Sequence, residues 1–140
     1  MQIYLAGALF SLAEKQFNRE LAETLEFYDY EVYLPQEECE GLTNPNQIYR
    51  KCIEGVTSSQ IIVAILEGTD VDSGTAVEIG MATMVEGKHI IGIRTDFRQH
   101  GDDGGLNLMV SCSCETIITG ETIKDIAERV HEYIKINYLK

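Results

Sequence analysis

Short apolar runs alternate along this chain with longer stretches of helical periodicity. Gln2 to Ala6 (QIYLA) is apolar, ends at Gly7 and predicts a strand. Ser11 follows as an N-cap with Glu14 three residues on, a capping box. Leu12, Phe17, Leu21 and Leu25 then recur at roughly helical spacing and predict a helix to about Phe27. Glu31 to Leu34 predicts a second strand, stopped by Pro35, and the polar, turn-rich stretch from Gln36 to Asn46 predicts a loop. A helix is expected from about Gln47 to Ser58. Gln60 to Leu66 (QIIVAIL) is continuous and β-branched, the pattern of a strand buried on both faces. After the polar loop Glu67 to Asp72, a helix is expected from Ser73 to Val85 or Glu86, ended by Gly87. Lys88 to Ile93 (KHIIGI) predicts another buried strand and Arg94 to Gly105 a long charged loop. Glu115 to Ile118 predicts a last short strand, and Thr122 to about Asn137 a closing helix.

Strands and helices in alternation imply an α/β sandwich around a parallel sheet with right-handed crossovers. In such sheets ligands sit at the carboxyl ends of the strands. Gly7 to Ser11, Glu67 to Thr75 and Arg94 to Arg98 converge there.

Composition narrows the partners. The 140 residues, 44% hydrophobic and 24% charged, amount to a single domain (1–140) able to bury a core. With 23 acidic against 11 basic residues the formal net charge is −12, a field that repels polyanions and argues against DNA or RNA as ligand. Met1 to Phe10 lacks the basic start of a signal peptide, and no apolar run is long enough to span a bilayer. A soluble, cytoplasmic protein with no membrane partner is the expectation. The four cysteines, Cys39, Cys52, Cys112 and Cys114, read as reduced thiols. Cys112 and Cys114 form a C-x-C, but no second pair stands at zinc-site spacing and His100 is the sole nearby imidazole, so no metal is expected.

The segment from Asp70 to Gly80 (DVDSGTAVEIG) carries the most chemistry. It follows a buried strand and opens a helix, which sets Glu78 within the first turn or two, near the positive end of the helix dipole. Val77, Ile79 and Met81 surround it with apolar neighbours, so an ionised but poorly hydrated carboxylate is expected, suited to nucleophilic attack. Spacing alone leaves open a plain helix-stabilising role. Asp72 and Ser73 are both capping candidates, compatible with ligand contact, and Gly74 either lets backbone approach a ligand or eases a turn. Gly7 alone is too little glycine for a phosphate-cradling loop. Tyr4 and Phe10 are either core aromatics or, respectively, a hydroxyl and an apolar face at the crevice.

Three pieces of the chain together resemble the nucleoside 2-deoxyribosyltransferase family, which includes nucleoside-phosphate N-hydrolases. They are Ile3-Tyr4-Leu5-Ala6-Gly7 with Phe10, then Asp72-x-Gly74-Thr75-x-x-Glu78-x-Gly80, then Asn107-Leu108-Met109, in the family's order. The resemblance implies a flavodoxin-like three-layer sandwich with a five-stranded parallel sheet. It implies that Glu78 attacks the anomeric carbon with Tyr4 hydrogen-bonded to it, and that Asp72 and Asn107 hold the 5′ end of the sugar. It further implies substrate contacts from Gly7, Phe10, Ser73, Gly74 and Met109. Because the Asn107–Met109 segment can reach a neighbouring subunit in the family, a homo-oligomer is expected.

The chain departs from the family pattern where a carboxylate stands on the helix before the central strand: here that residue is Cys52, and Gln60 replaces an aspartate just before the strand. The implied reaction needs no cofactor, only a nucleoside and a free base. Transfer of deoxyribose to a second base is the first reading. Hydrolysis of nucleoside 5′-monophosphates and non-catalytic nucleoside binding are its rivals.

Overall fold

The computed structural model describes residues 1–98 and 105–139. Residues 99–104, which include His100 and half of the expected charged loop, lie outside the described residues. The elements in chain order are β1 (Gln2–Ala6), α1 (Leu12–Glu26), β2 (Glu31–Tyr33), α2 (Pro35–Glu38), α3 (Pro45–Ser58), β3 (Ile61–Ile65), α4 (Ser73–Thr83), β4 (His89–Ile93), α5 (Leu108–Ser111), β5 (Thr116–Ile118) and α6 (Ile123–Asn137).

The five strands form one parallel sheet in the order β2-β1-β3-β4-β5, the flavodoxin-like arrangement. Tyr4 stands between Tyr33 on β2 and Ile62 on β3. The alternation of side chains splits the core in two. Ile3, Leu5, Ile61 and Val63 point to the α1–α6 face with Leu21, Leu25 and Val130. Tyr4, Ala6, Ile62 and Ala64 point the other way, with Val56 of α3, Ile79 and Ala82 of α4 and Leu106.

Three local features differ from the sequence expectation. Pro35 occupies the first position of α2, where its fixed φ suits a helix start, so a helical turn opens the stretch expected to be loop. Pro45 does the same for α3 behind the Asn44 cap, which lengthens that helix at its start. Asn107 caps the unexpected α5 by accepting from the Met109 N–H at 2.9 Å. The capping box on α1 is present, with Glu14 accepting from the Phe10 and Ser11 backbones and donating its own N–H to Ser11 Oγ.

Candidate active site

The crossovers after β1 and β3 leave on opposite faces of the sheet, α1 on one and α4 on the other. The two loops therefore part at the carboxyl ends of these neighbouring strands and open a crevice. Tyr4 projects towards α4 from the third position of β1, fully buried, its ring stacked on Tyr33 with centroids 5.5 Å apart. Its hydroxyl donates to Glu78 Oε1 at 2.6 Å. Glu78, on the second turn of α4, is partly buried over this hydroxyl.

Burial pushes the Glu78 carboxyl up to about 7; the Tyr4 hydrogen bond opposes that shift and the Asp72 charge adds to it. At that value acid and carboxylate coexist at neutral pH, where the sequence reading expects an ionised, poorly hydrated carboxylate. Desolvation first, then the Glu78 charge, hold Tyr4 far above the ordinary phenol range, so it remains a hydroxyl donor. The Cys52 thiol on α3 stands beside the Tyr4 hydroxyl and within interaction range of Cys39. Burial raises it to about 11, so it is a neutral thiol at any physiological pH.

Asp72 is the N-cap of α4. Its Oδ2 accepts from the Thr75 N–H at 2.9 Å and from the Thr75 hydroxyl at 3.2 Å. The positive end of α4 thus already faces a carboxylate. Gly74 lies against this cap, since a Cβ there would stand 3.1 Å from Asp72 Oδ2, and Ser73 beside it is exposed. Gly7 turns the chain out of β1 next to Ile65, and Phe10 beyond it is 76% exposed, so it is not a core aromatic.

Asn107 and Met109 are not part of this group within one chain. They line a groove with Ala76, Gly80 and Thr83 on the flank of α4 turned away from Tyr4. Met109 is 77% exposed and Leu108 is also exposed, whereas Leu106 just before them is buried in the core.

The two arginines of the β4 loop are committed elsewhere. Arg94 is buried, its guanidinium donating to the carbonyls of Leu66 (2.6 Å), Gly68 (3.3 Å) and Arg98 (3.2 Å). Arg98 is clamped by Asp96, with Nε 2.9 Å from both carboxylate oxygens. Among the described residues no cluster of His, Cys, Asp or Glu could hold a metal ion, and no helix is long and apolar enough to cross a membrane.

Tyr33 and Gly55 are central to this geometry and were not singled out from sequence. Tyr33 Oη donates to the Lys51 carbonyl at 2.8 Å and so ties β2 to α3. A Cβ on Gly55 would stand 2.5 Å from Tyr33 Cε1 and 2.7 Å from Tyr4 Cδ2, so only glycine lets α3 press on the tyrosine pair. A glycine inside a helical pattern was the available signal, because it costs about 1 kcal/mol against alanine.

A model of the nucleoside 2-deoxyribosyltransferase family matches residues 3–122. The chain belongs to this family. The match runs from Ile3 to Thr122 and so takes in β1, the α4 start and the α5 segment. Among curated proteins none matches the chain. Solved structures share the deoxyribosyltransferase fold. A conserved protein from Enterococcus faecalis V583 is 27% identical with a TM-score of 0.74, over 95% of this chain and 98% of that one. A 2-deoxyribosyltransferase from Bacillus psychrosaccharolyticus is 18% identical with a TM-score of 0.71, over 91% of this chain and 90% of that one. A CMP N-glycosidase from Clostridium botulinum is 21% identical with a TM-score of 0.68, over 95% of this chain and all of that one. Family and fold support an activity of the deoxyribosyltransferase or N-glycosidase type on small nucleoside substrates.

Proposed function

We propose that this protein cleaves the N-glycosidic bond of 2′-deoxynucleosides through a covalent glycosyl-enzyme on Glu78 and transfers the deoxyribose to another base. The observation that carries this reading is the 2.6 Å hydrogen bond from Tyr4 to Glu78 at the bottom of the crevice. A carboxylate held by one oxygen keeps the other for attack. Glu78 displaces the base at C1′ through an oxocarbenium-like transition state, with the C–N electron pair leaving on the base. A second base then attacks C1′ from the vacated face and releases Glu78, with net retention; water in its place gives hydrolysis. A 2′-deoxy sugar has no electron-withdrawing hydroxyl beside C1′, which lowers the demand for a strong acid at the leaving base. That suits a site where Cys52 is neutral and only weakly acidic.

Asp72 is read as the acceptor for the sugar's 5′ hydroxyl. A 5′-phosphate there would meet the Asp72 carboxylate and the charge on Glu78, while the Thr75 donors already serve Asp72. Arg94 and Arg98 are held by backbone carbonyls and by Asp96. A free nucleoside is therefore the preferred substrate over its monophosphate. Phe10 offers its exposed ring to a flat base, and Asn107 and Met109 serve the site of a second copy.

The test is to incubate the protein with a panel of deoxynucleosides and free bases and to separate the products by chromatography. New nucleosides report transfer, free deoxyribose reports hydrolysis, and unchanged substrate leaves a binding module. Glu78→Ala should lower turnover at least about a thousandfold, roughly 4 kcal/mol in the barrier. Activity within tenfold of wild type removes Glu78 as nucleophile.

A further inference from the structure

The loop that carries the chain from β3 to Asp72 is held by two side chains that cross between neighbouring strand ends. Glu67, just past β3, accepts from the Thr95 N–H and hydroxyl, both at 2.7 Å, and from the Asp96 N–H at 2.8 Å. Arg94, just past β4, donates the other way, to the carbonyls of Leu66 (2.6 Å) and Gly68 (3.3 Å). Each loop thus binds the backbone of the other through a charged group, which makes every contact of the pair charge-assisted.

Arg94 is a costly residue for a scaffold. It is buried, its hydrogen-bond partners among the described residues are all backbone carbonyls, and its Nε has none. Burying a cation without a carboxylate bonded to it costs free energy that an apolar side chain avoids. Stability alone therefore does not account for an arginine here, whereas the placing of a loop does.

Little slack separates this clamp from Asp72. Gly68 turns the chain at φ +103°, and a Cβ there would stand 3.1 Å from the Asp70 carbonyl oxygen, so the turn is folded closely on itself. Val71 then packs against the core on the α4 side, and Asp72 caps α4 through Thr75. The Tyr4–Glu78 contact is supported separately, by β1 and by α4 beyond its first turn.

We propose that Glu67 and Arg94 are positioning residues that set Asp72 against the sugar's 5′ hydroxyl. The proposal rests on the reading of Asp72 given above. Neither residue bonds to Tyr4 or Glu78, so loss of the clamp loosens recognition of the 5′ end and leaves the titration of Glu78 in place.

The experiment compares kcat/KM for a 2′-deoxynucleoside and its 2′,5′-dideoxy analogue, which lacks the 5′ hydroxyl. Wild type should prefer the hydroxyl form about ten- to hundredfold, the worth of a hydrogen bond to a charged group. Glu67→Ala removes all three acceptor contacts, and Arg94→Lys keeps the charge without the planar fork. Each should lower the preference about tenfold, since misplacement by about 1 Å costs up to a hundredfold. The pH midpoint near 7 should stay. Glu67→Gln, which keeps one acceptor oxygen, should recover part of the preference. In Asp72→Ser, adding Glu67→Ala should change the ratio no further. Glu67 is only partly buried, so its variants carry the test if Arg94→Lys does not fold. A preference unchanged in Glu67→Ala, or equal losses on both substrates, overturns the proposal and leaves Asp72 as the 5′ contact. If wild type shows no preference, the reading of Asp72 falls, and hydrogen exchange of the Thr75 amide decides the clamp: faster in Glu67→Ala if the clamp holds Asp72, unchanged if it does not.

Discussion

Tyr4 and Glu78 lie 74 positions apart in sequence, yet the Tyr4 hydroxyl meets Glu78 Oε1 at 2.6 Å. Each sits in an element whose register leaves it little freedom. Tyr4 is fixed between Tyr33 and Ile62 in the sheet, and Glu78 by the packing of Ile79 and Ala82 one and four residues on. The hydrogen bond lowers the carboxyl's proton affinity while burial raises it more, and the balance stands at about 7.

The pH dependence of the reaction follows. In the proposed mechanism the carboxylate is the attacking form, so kcat/KM should rise with pH and level off above a midpoint near 7. Tyr4→Phe removes the group that favours the carboxylate, so the midpoint should move to higher pH. A charge-assisted hydrogen bond of about 1.5–3 kcal/mol is lost with it, roughly a ten- to hundredfold fall in rate. A pH–rate profile of both proteins checks this; an unshifted midpoint in Tyr4→Phe removes the tyrosine from the carboxylate's control.

Stability should change in the opposite sense. The folded value of Glu78 is raised above the unfolded one, so protonated Glu78 favours the folded state and that contribution is lost as pH climbs from about 4.5 to about 7. At 1.36 kcal/mol per unit the upper bound is on the order of 3 kcal/mol. Glu78→Gln carries no charge and should melt a few degrees above wild type at pH 8, with the gap closing towards pH 5. Equal melting temperatures at pH 8 would contradict the buried-carboxylate picture.

Asp72 should govern the choice at the 5′ end. Serine keeps the α4 cap but removes the charge. Asp72→Ser should therefore shift the kcat/KM ratio towards the 5′-monophosphate by about tenfold or more while folding is retained. A ratio unchanged from wild type shows that Asp72 is not the discriminator, and a wild type that prefers the monophosphate favours hydrolysis of nucleotides.

Gly55→Ala tests the support beneath Tyr4. The added carbon would stand 2.5 Å from Tyr33 and 2.7 Å from Tyr4, so α3 or the tyrosine pair must shift. Overpacking of this kind costs about 1–3 kcal/mol. A lower denaturation midpoint together with a shifted pH–rate profile is expected. Alanine's better helix propensity works against this loss, and a variant at or above wild-type stability shows that the contact relaxes freely.

Self-association is the remaining expectation. Val77 on α4, Met84 at its C-cap and Leu108 and Met109 on α5 are exposed apolar residues, and Met109 lines the groove that holds Asn107. Sedimentation at micromolar concentration should show a dimer or larger, and Met109→Asp should lower both the assembly and kcat/KM. A fully active monomer would assign these residues to plain surface.

The layered sheet was legible in the sequence because its signals are local. A continuous β-branched run such as Gln60–Leu66 allows little but a buried strand, and Ser11 with Glu14 declares a helix start by hydrogen bonds three residues apart. The family pattern likewise points to Glu78, Tyr4 and Asp72 from the sequence alone. What the sequence could not supply depends on atoms brought together from distant segments. The stacking of Tyr33 on Tyr4, the Gly55 contact and the carboxyl value near 7 exist only once β1, β2, α3 and α4 have packed. The retention of Arg94 by three backbone carbonyls is of the same kind, for a loop sequence does not reveal where a long cation turns. Spacing determines which face of an element a residue occupies; desolvation, charge and close contact are properties of what the fold sets against that face.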